Sequence, residues 1–302
     1  MRDNVPGDLR GNARNHAPAK KFPGKPRTQS QLALSADGST WFLAGASPDL
    51  AFQIESCPDL HPRALRDTPR DSPICGAVLG SCDLDHVMGL LLLRELQPLR
   101  VYAAPSILRI LREENSMFGM LNRVEPQVIW TSMTADSPFP LLSAGGKDSG
   151  LRCEVHYISG RYPTYVKTEI GKLNRDEATA ALFFHSKSDS ASGKRVAYVP
   201  AVGSLSDTLL DKINHADLLL FDGTFFSDDE LQRVQGSGET AHQMGHIPVE
   251  ESLRLLKNIK VDRKMFIHLN NTNPILNEAS PEHNAVRQAG WEVAEDNWQL
   301  EL

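Results

Sequence analysis

The stretch Ala77–Glu95 constrains the fold more than any other. An apolar run, Ala77-Val78-Leu79, stops at Gly80-Ser81, and Asp83-Leu84-Asp85-His86 then leads into the helical run Val87–Leu96. A strand that ends in acid and imidazole side chains before a helix takes over marks an α/β chain, in which loops at strand ends carry function on a rigid scaffold. Capping a helix through hydrogen bonding and its dipole requires one Asp. Two Asp and an adjacent His exceed that need, and the excess reads as part of a metal site. Neighbouring ligands can bind one ion if residues arriving from elsewhere complete the set.

The 302 residues, 40% of them hydrophobic, suffice for a substantial core in one large domain or two small ones. A net charge of −6 argues against a general binder of nucleic acid or of a membrane surface, since either would show a basic excess. No apolar run reaches spanning length, because Leu90–Leu93 is bounded at once by Arg94 and Glu95. The N-terminus, MRDNVPGDLRGNARN, has no apolar signal core, so a cytoplasmic location is the default. Cys57, Cys75, Cys82 and Cys153 show no CxxC spacing and read as reduced thiols. Cys82, within the central motif, reads as a small buried residue rather than a nucleophile.

Residues 1–27 are polar, basic and rich in Gly, Pro, Asn and Arg, the composition of a disordered tail, and residues 28–302 read as one domain. Gln31–Leu34 and Trp41–Ala44 are strands joined by an Asp37-Gly38 turn, and Ser47-Pro48-Asp49 opens a helix to about Glu55. Arg100–Ala103 and the amphipathic Pro105–Glu113 complete a βαβα unit. Leu151–Ile158 is a strand, and Ala180–His185 and Arg195–Pro200 form a hairpin about the polar turn Ser186–Lys194. Leu205–His215 is a helix, Leu218–Phe221 a buried strand and Phe225–Met244 an acidic loop over the site. Pro248–Leu256 is a helix, Lys264–His268 a strand, and Glu292–Leu302 supplies one or two edge strands.

Three strand ends thus share one chemical vocabulary: Asp83, Asp85 and His86; Asp222; and His268, with His246 at the start of a helix. The carboxyl ends of strands in a layered α/β fold lie along one edge, so such residues can converge. Asp85, His86 and His268 supply two imidazoles and a carboxylate. That set suits non-haem Fe(II), with positions open for dioxygen and substrate, and it also accepts zinc. Asp83 would tune or complete it, while Asp222 and His246 read as an orienting or acid/base pair. His242 is undecided, and His16, His61, His156, His185, His215 and His283 read as structural. Asn270, Asn271, Thr272 and Asn273 fit a turn network that satisfies loop backbone groups at least as well as they fit substrate contact. Arg27, near the first strand, is a further candidate for ligand contact.

In order and type, these pieces resemble the metallo-β-lactamase superfamily, which carries His-x-His-x-Asp-His after a strand and a last His at the end of a late strand. The corresponding stretch here is Ser81-Cys82-Asp83-Leu84-Asp85-His86: Ser81 and Asp83 replace the first two histidines, whereas Asp85, His86 and His268 remain. The resemblance implies a four-layer αββα sandwich of α/β class holding one metal. A further superfamily Asp is replaced at Pro200-Ala201, and Asp222-Gly223-Thr224 with Gly245-His246 look like the support carboxylate and histidine of the ribonuclease Z branch.

A more specific resemblance, over about residues 26–302, is to the pyrroloquinoline quinone (PQQ) biosynthesis protein B family. It runs through Pro26–Ser30, Gly45–Asp49, Asp83–His86, Phe221–Thr224, Met244–His246 and His268–Pro274. It implies iron-dependent hydroxylation, by dioxygen, of the tyrosine ring of a Glu/Tyr-derived PQQ precursor, with Ser47 added to the substrate contacts. A zinc hydrolase, or a carrier in transport of PQQ or its precursor towards the periplasm, are the alternatives. The implied partners are that precursor or PQQ, dioxygen, other proteins of the pathway and a second copy in a homodimer, with no nucleic acid and no membrane. The family's amino-terminal strand, Gly-rich turn and Cys-x-Cys-x-x-Cys structural zinc site find no match, since no Cys precedes Cys57, so an edge strand is expected to be missing.

Overall fold

The computed structural model describes residues 23–65, 68–93, 98–123, 127–166, 173–187 and 193–302. Of the tail expected over residues 1–27, residues 1–22 lie outside the described residues, as does part of the polar turn expected at Ser186–Lys194. The chain divides into two compact units, Ser30–Arg195 and Met1–Gln29 with Val196–Leu302.

In the first unit, β1 (Leu32–Ser35) and β2 (Trp41–Ala44) form the expected hairpin. Its Asp37 carboxylate accepts the Ser39 and Thr40 backbone N–H groups at 2.8 and 2.6 Å, which folds the turn over itself. The helix α1 (Leu50–Ser56) follows, then a small antiparallel pair, β3 (Arg63–Leu65) with β4 (Thr68–Asp71), that the apolar pattern does not announce. β5 (Ile74–Val78) pairs in parallel with β2 and with β6 (Leu99–Ala103), and β6 with β7 (Val128–Ser132), giving the order β1-β2-β5-β6-β7. The unbroken apolar run of β5, and that of β6 apart from the half-buried Arg100, suit strands covered on both faces.

The helix after the central motif, α2 (Leu84–Val87), begins three residues earlier than the apolar run suggests, and a 3-10 stretch, Met88–Leu93, continues it. α3 (Pro105–Arg109) starts on the proline, whose missing N–H costs nothing in a first turn, and widens into a π turn at Ile110–Glu114. Leu43, Leu50, Ala77, Leu79, Val87, Leu90, Val101, Ile107 and Phe118 form the core on which these elements close. β8 (Phe139–Leu142), β9 (Asp148–Ile158) and β10 (Thr179–Ser186) are antiparallel neighbours in that order.

In the second unit β11 (Arg195–Val199), β12 (Leu218–Asp222), β13 (Arg263–Ile267) and β14 (Glu292–Val293) are parallel neighbours in that order. Their connections carry α4 (Asp207–Asn214), α5 (Glu230–Gln235), α6 (Ala241–Met244), α7 (Val249–Leu255) and α8 (Pro281–Gln288). Ser206 and Ser280 cap α4 and α8 by accepting the backbone N–H of Leu209 and His283. The segment Phe225–Met244 therefore differs from the expected loop. It holds α5, stopped by the left-handed Gly236, and α6, started by a reciprocal cap between Thr240 and Gln243. The C-terminal stretch yields one two-residue strand.

Chain order also begins before Thr28. Pro23 accepts the Glu278 backbone N–H at 2.7 Å, Lys25 pairs with Glu295 at 2.7 Å, and Arg27 Nε donates to the Ala294 carbonyl at 2.6 Å. The basic residues expected in a solvated tail thus meet the acidic C-terminal segment. Among the described residues no helix is long and apolar enough to cross a membrane.

β12 is buried along its whole length, and Phe221 within it meets Phe266 and Trp291 edge-on, while the latter two rings stack at 4.3 Å. Phe221→Ala is expected to cost about 3–5 kcal/mol, read from urea unfolding followed by tryptophan fluorescence.

Candidate metal centre

The central motif is held by backbone bonds before any side chain acts. Gly45 N donates to Val78 O at 2.9 Å, Ala46 N to His86 O at 2.7 Å and Gly89 N to Ala46 O at 2.8 Å, so the loop after β2 is stitched to the end of β5 and to the C-terminal end of α2. The contact is close enough that a Cβ on Gly89 would lie 2.3 Å from Ser47 O. This fastening buries His86 to 3% exposure. Its Nδ1 lies 2.8 Å from Ser81 Oγ, which also accepts the Asp83 N–H, and its Nε2 lies 4.0 Å from Asp85 Oδ2. Asp83 stands at the start of α2, yet its carboxylate makes no capping bond, so helix formation does not consume that acid.

In the second unit, β12 delivers Asp222 wholly buried at its carboxyl end. The carboxylate accepts four bonds: His246 Nδ1 at 2.7 Å and Val202 N at 3.0 Å on Oδ2, and Thr224 N at 3.0 Å and Thr224 Oγ1 at 2.6 Å on Oδ1. Since the Thr224 proton goes to Asp222, Thr224 Oγ1 accepts from His268 Nδ1 at 2.7 Å. The network thereby assigns Nδ1–H to both rings and puts the lone pair of each on Nε2. The His246 and His268 rings stack at 5.7 Å, and one ligand atom from each of Asp222, His246 and His268 falls within a 4.8 Å set. Burial alone would push the Asp222 carboxyl up, but His246, His268 and Thr224 hold it below the ordinary carboxylate value.

His268 follows β13 with φ +56, a left-handed backbone uncommon for a residue with a side chain. Gly223 makes room for that corner. Its N–H donates to Ile267 O at 2.8 Å, and a Cβ there would meet that oxygen at 2.9 Å.

Other residues expected at the site have structural duties. Ser47 is fully buried, with its N–H on Gln31 Oε1 at 2.8 Å and its hydroxyl on Gln53 Oε1 at 2.7 Å, so it is committed to the loop after β2 instead of substrate. Arg27 bonds the carbonyls of Lys25 and Ala294 and joins the N-terminal segment to the C-terminal one. Asn273 is 2% exposed, donating to Gly223 O at 2.7 Å and accepting from Ile275 N at 3.0 Å. Asn270 donates to Thr272 Oγ1 at 2.6 Å, which supports the turn-network reading, while Asn271 is half-buried in the same loop. Cys82 is buried, and burial pushes its thiol up to about 12, far from a nucleophile. His242 pairs with Glu251 at 2.9 Å on the surface. Sequence reasoning missed Ser81 and Thr224 as partners of His86 and His268. The available signal was a hydroxyl within a few residues of each strand-end acid.

A model of the Beta-lactamase superfamily domain matches residues 40–269. Coenzyme PQQ synthesis protein B of Methylobacterium sp. (strain 4-46) is 37% identical over 283 residues, 92% of this chain and 89% of its own. The same-named protein of Bradyrhizobium diazoefficiens is 36% identical over 91% of this chain and 88% of its own. Among solved structures, Zn(2+)-bound PqqB from Methylobacterium extorquens superposes with a TM-score of 0.82 at 36% identity, covering 94% of this chain and 91% of that one. A diphosphatase from the PhnP family, at TM-score 0.60 and 16% identity over 93% of this chain and 87% of that one, shares the fold. The α/β architecture is therefore of the metallo-β-lactamase type.

All four partners of Asp222 are donors, so in Asp222→Asn the amide NH2 must face at least one of them. The substitution is expected to cost about 3 kcal/mol at neutral pH, measured by urea unfolding. Because the folded Asp222 value is lowered, its contribution is full above the ordinary carboxylate range and fades as pH falls through the folded value. The gap between parent and variant should narrow accordingly in acid.

Proposed function

Because the chain belongs to the coenzyme PQQ synthesis protein B family of the beta-lactamase superfamily, we propose that it serves PQQ biosynthesis as a metal-dependent enzyme hydroxylating the tyrosine ring of a Glu/Tyr-derived precursor with dioxygen. Asp85, His86 and His268 are the proposed ligands of one ion, with Asp83 completing the acidic side. The observation that carries the reading is the preparation of the imidazoles. Thr224 Oγ1 takes His268 Nδ1–H, and Ser81 Oγ stands against His86 Nδ1, so Nε2 is the ring atom each can offer to a metal. Two imidazoles and a carboxylate fit Fe(II), which when bound supplies the electron transfers that dioxygen chemistry needs.

The remaining chemistry belongs to the chain. His246 carries its lone pair on Nε2 and can accept a proton there, and Asp222, bonded to Nδ1, stabilises the cation that results. In the overall reaction a ring C–H becomes C–OH with one atom of dioxygen. The other leaves as water, taking two protons and two electrons from an added reductant. Zinc also suits two imidazoles and a carboxylate, and a PqqB relative is Zn(2+)-bound; zinc at this centre would point to hydrolysis by a metal-bound water.

Anaerobic loading with Fe(II), then oxygen and ascorbate with a peptide holding Glu and Tyr, should give a catechol product one oxygen heavier by mass spectrometry. Zn(II)-loaded protein and the His86→Ala variant should give none. Equal catechol from that variant, or none from the iron-loaded parent, sinks the oxygenase reading; unchanged PQQ retention by a turnover-free variant would favour a carrier. Elemental analysis supplies a second check, because His86→Ala and His268→Ala should each lose the same bound equivalent of metal. Loss of separate equivalents would contradict a single shared ion.

A further inference from the structure

We propose that Glu230 is a positioning residue for His268, acting through Thr272 and Asn270, an inference that rests on the metal-ligand role proposed for His268. Glu230 opens α5 and is 3% exposed. Its Oε2 accepts the Phe226 backbone N–H at 2.7 Å, and its Oε1 accepts the Thr272 hydroxyl at 2.5 Å. Thr272 Oγ1 accepts in turn from Asn270 Nδ2 at 2.6 Å, which leaves its one proton for Glu230. Both carboxylate oxygens are therefore acceptors. Burial pushes this carboxyl up, a cost that these bonds offset only in part. The guanidinium of nearby Arg233 adds a favourable charge, while its Nε pairs with Asp229 at 3.0 Å. A buried acid is an expensive way to begin a short helix, and what it reaches is the loop that follows His268.

That loop is tied on its inner side to the end of β12. Asn270 N donates to Thr224 O at 3.0 Å and Asn273 Nδ2 to Gly223 O at 2.7 Å, while Asn273 N closes the turn on Asn270 O at 3.0 Å. The Glu230–Thr272 bond ties the outer side to α5, 42 residues away in the chain. Immediately before the loop stands His268 with φ +56. A non-glycine residue in that region is strained and persists where its surroundings over-determine it. The two-sided clamp supplies that constraint. With the outer tether cut, the loop can relax, the φ of His268 can return to negative values, and its ring leaves Thr224 Oγ1.

The test compares the parent with Thr272→Val, Thr272→Ser and Glu230→Gln. Zn(II) and Co(II) affinities are measured against a chromophoric chelator, together with the Co(II) d–d spectrum and the urea midpoint. Valine keeps the shape of threonine and removes the hydroxyl, so affinity should fall about tenfold or more with altered d–d bands, and the midpoint should drop because the buried Glu230 carboxylate loses a donor. Serine restores the hydroxyl and should bind within about twofold of the parent, against the tenfold or larger loss typical of a disrupted orienting bond. Glu230→Gln should weaken binding as valine does, since its NH2 must face a donor, and it carries the test if the valine variant fails to fold. Parent-like affinity and spectrum in both Thr272→Val and Glu230→Gln overturn the proposal while leaving the metal centre intact. A serine variant as weak as valine overturns it equally. A parent that binds neither metal overturns the metal-centre reading and this inference with it.

Discussion

The Asp222 carboxylate is the interaction on which the second unit depends. A buried charge is tolerated when every lone pair finds a donor, and here four donors come from three separate places: the segment after β11, the segment leading into α7, and the turn after β12 itself. Through Thr224 the same charge reaches the end of β13 and fixes the His268 ring. One side chain thus fastens several strand and helix ends, and it does so by drawing their donors inward. The tautomers of two histidines follow from that arrangement without further cost.

The first unit reaches a comparable result by different means. Its histidine is fixed largely by backbone: the loop after β2 lies against α2 closely enough that position 89 excludes a side chain, and the His86 carbonyl is itself an acceptor in the contact. Ser81 then meets Nδ1. In the superfamily motif Ser81 stands where a histidine would be, and a short hydroxyl at that position can serve the ring of His86 instead of contributing a ring of its own.

Much of the fold was legible in order along the chain. The β1–β2 turn, the parallel strands β5, β6, β12 and β13, and the acids and imidazoles at their ends all follow from apolar runs broken by polar residues. β7 and β8 were missed because their apolar runs, Val128–Trp130 and Phe139–Leu142, are short and the second holds a proline, which argues against a strand, and α5 and α6 because short helices carry little periodicity. α6 begins at a Thr-to-Gln reciprocal cap, a local signal that the acidic character of the segment obscured. The family and its metallo-β-lactamase-type fold were also readable, since the motifs that carry them are short and contiguous.

The sequence by itself determined which chemical groups stand at strand ends, because strand termination and motif identity are local properties. Tertiary structure alone decided what each group touches. Ser47, Arg27 and Asn273, polar residues in ligand-like surroundings, are taken up by backbone and side-chain partners 2 to 267 positions away. Asp222, by contrast, is loaded with donors that turn two imidazoles outward from it. The division has one physical reason: a buried polar group must be satisfied, and its partner is chosen by proximity in the folded chain, which residue order alone does not encode.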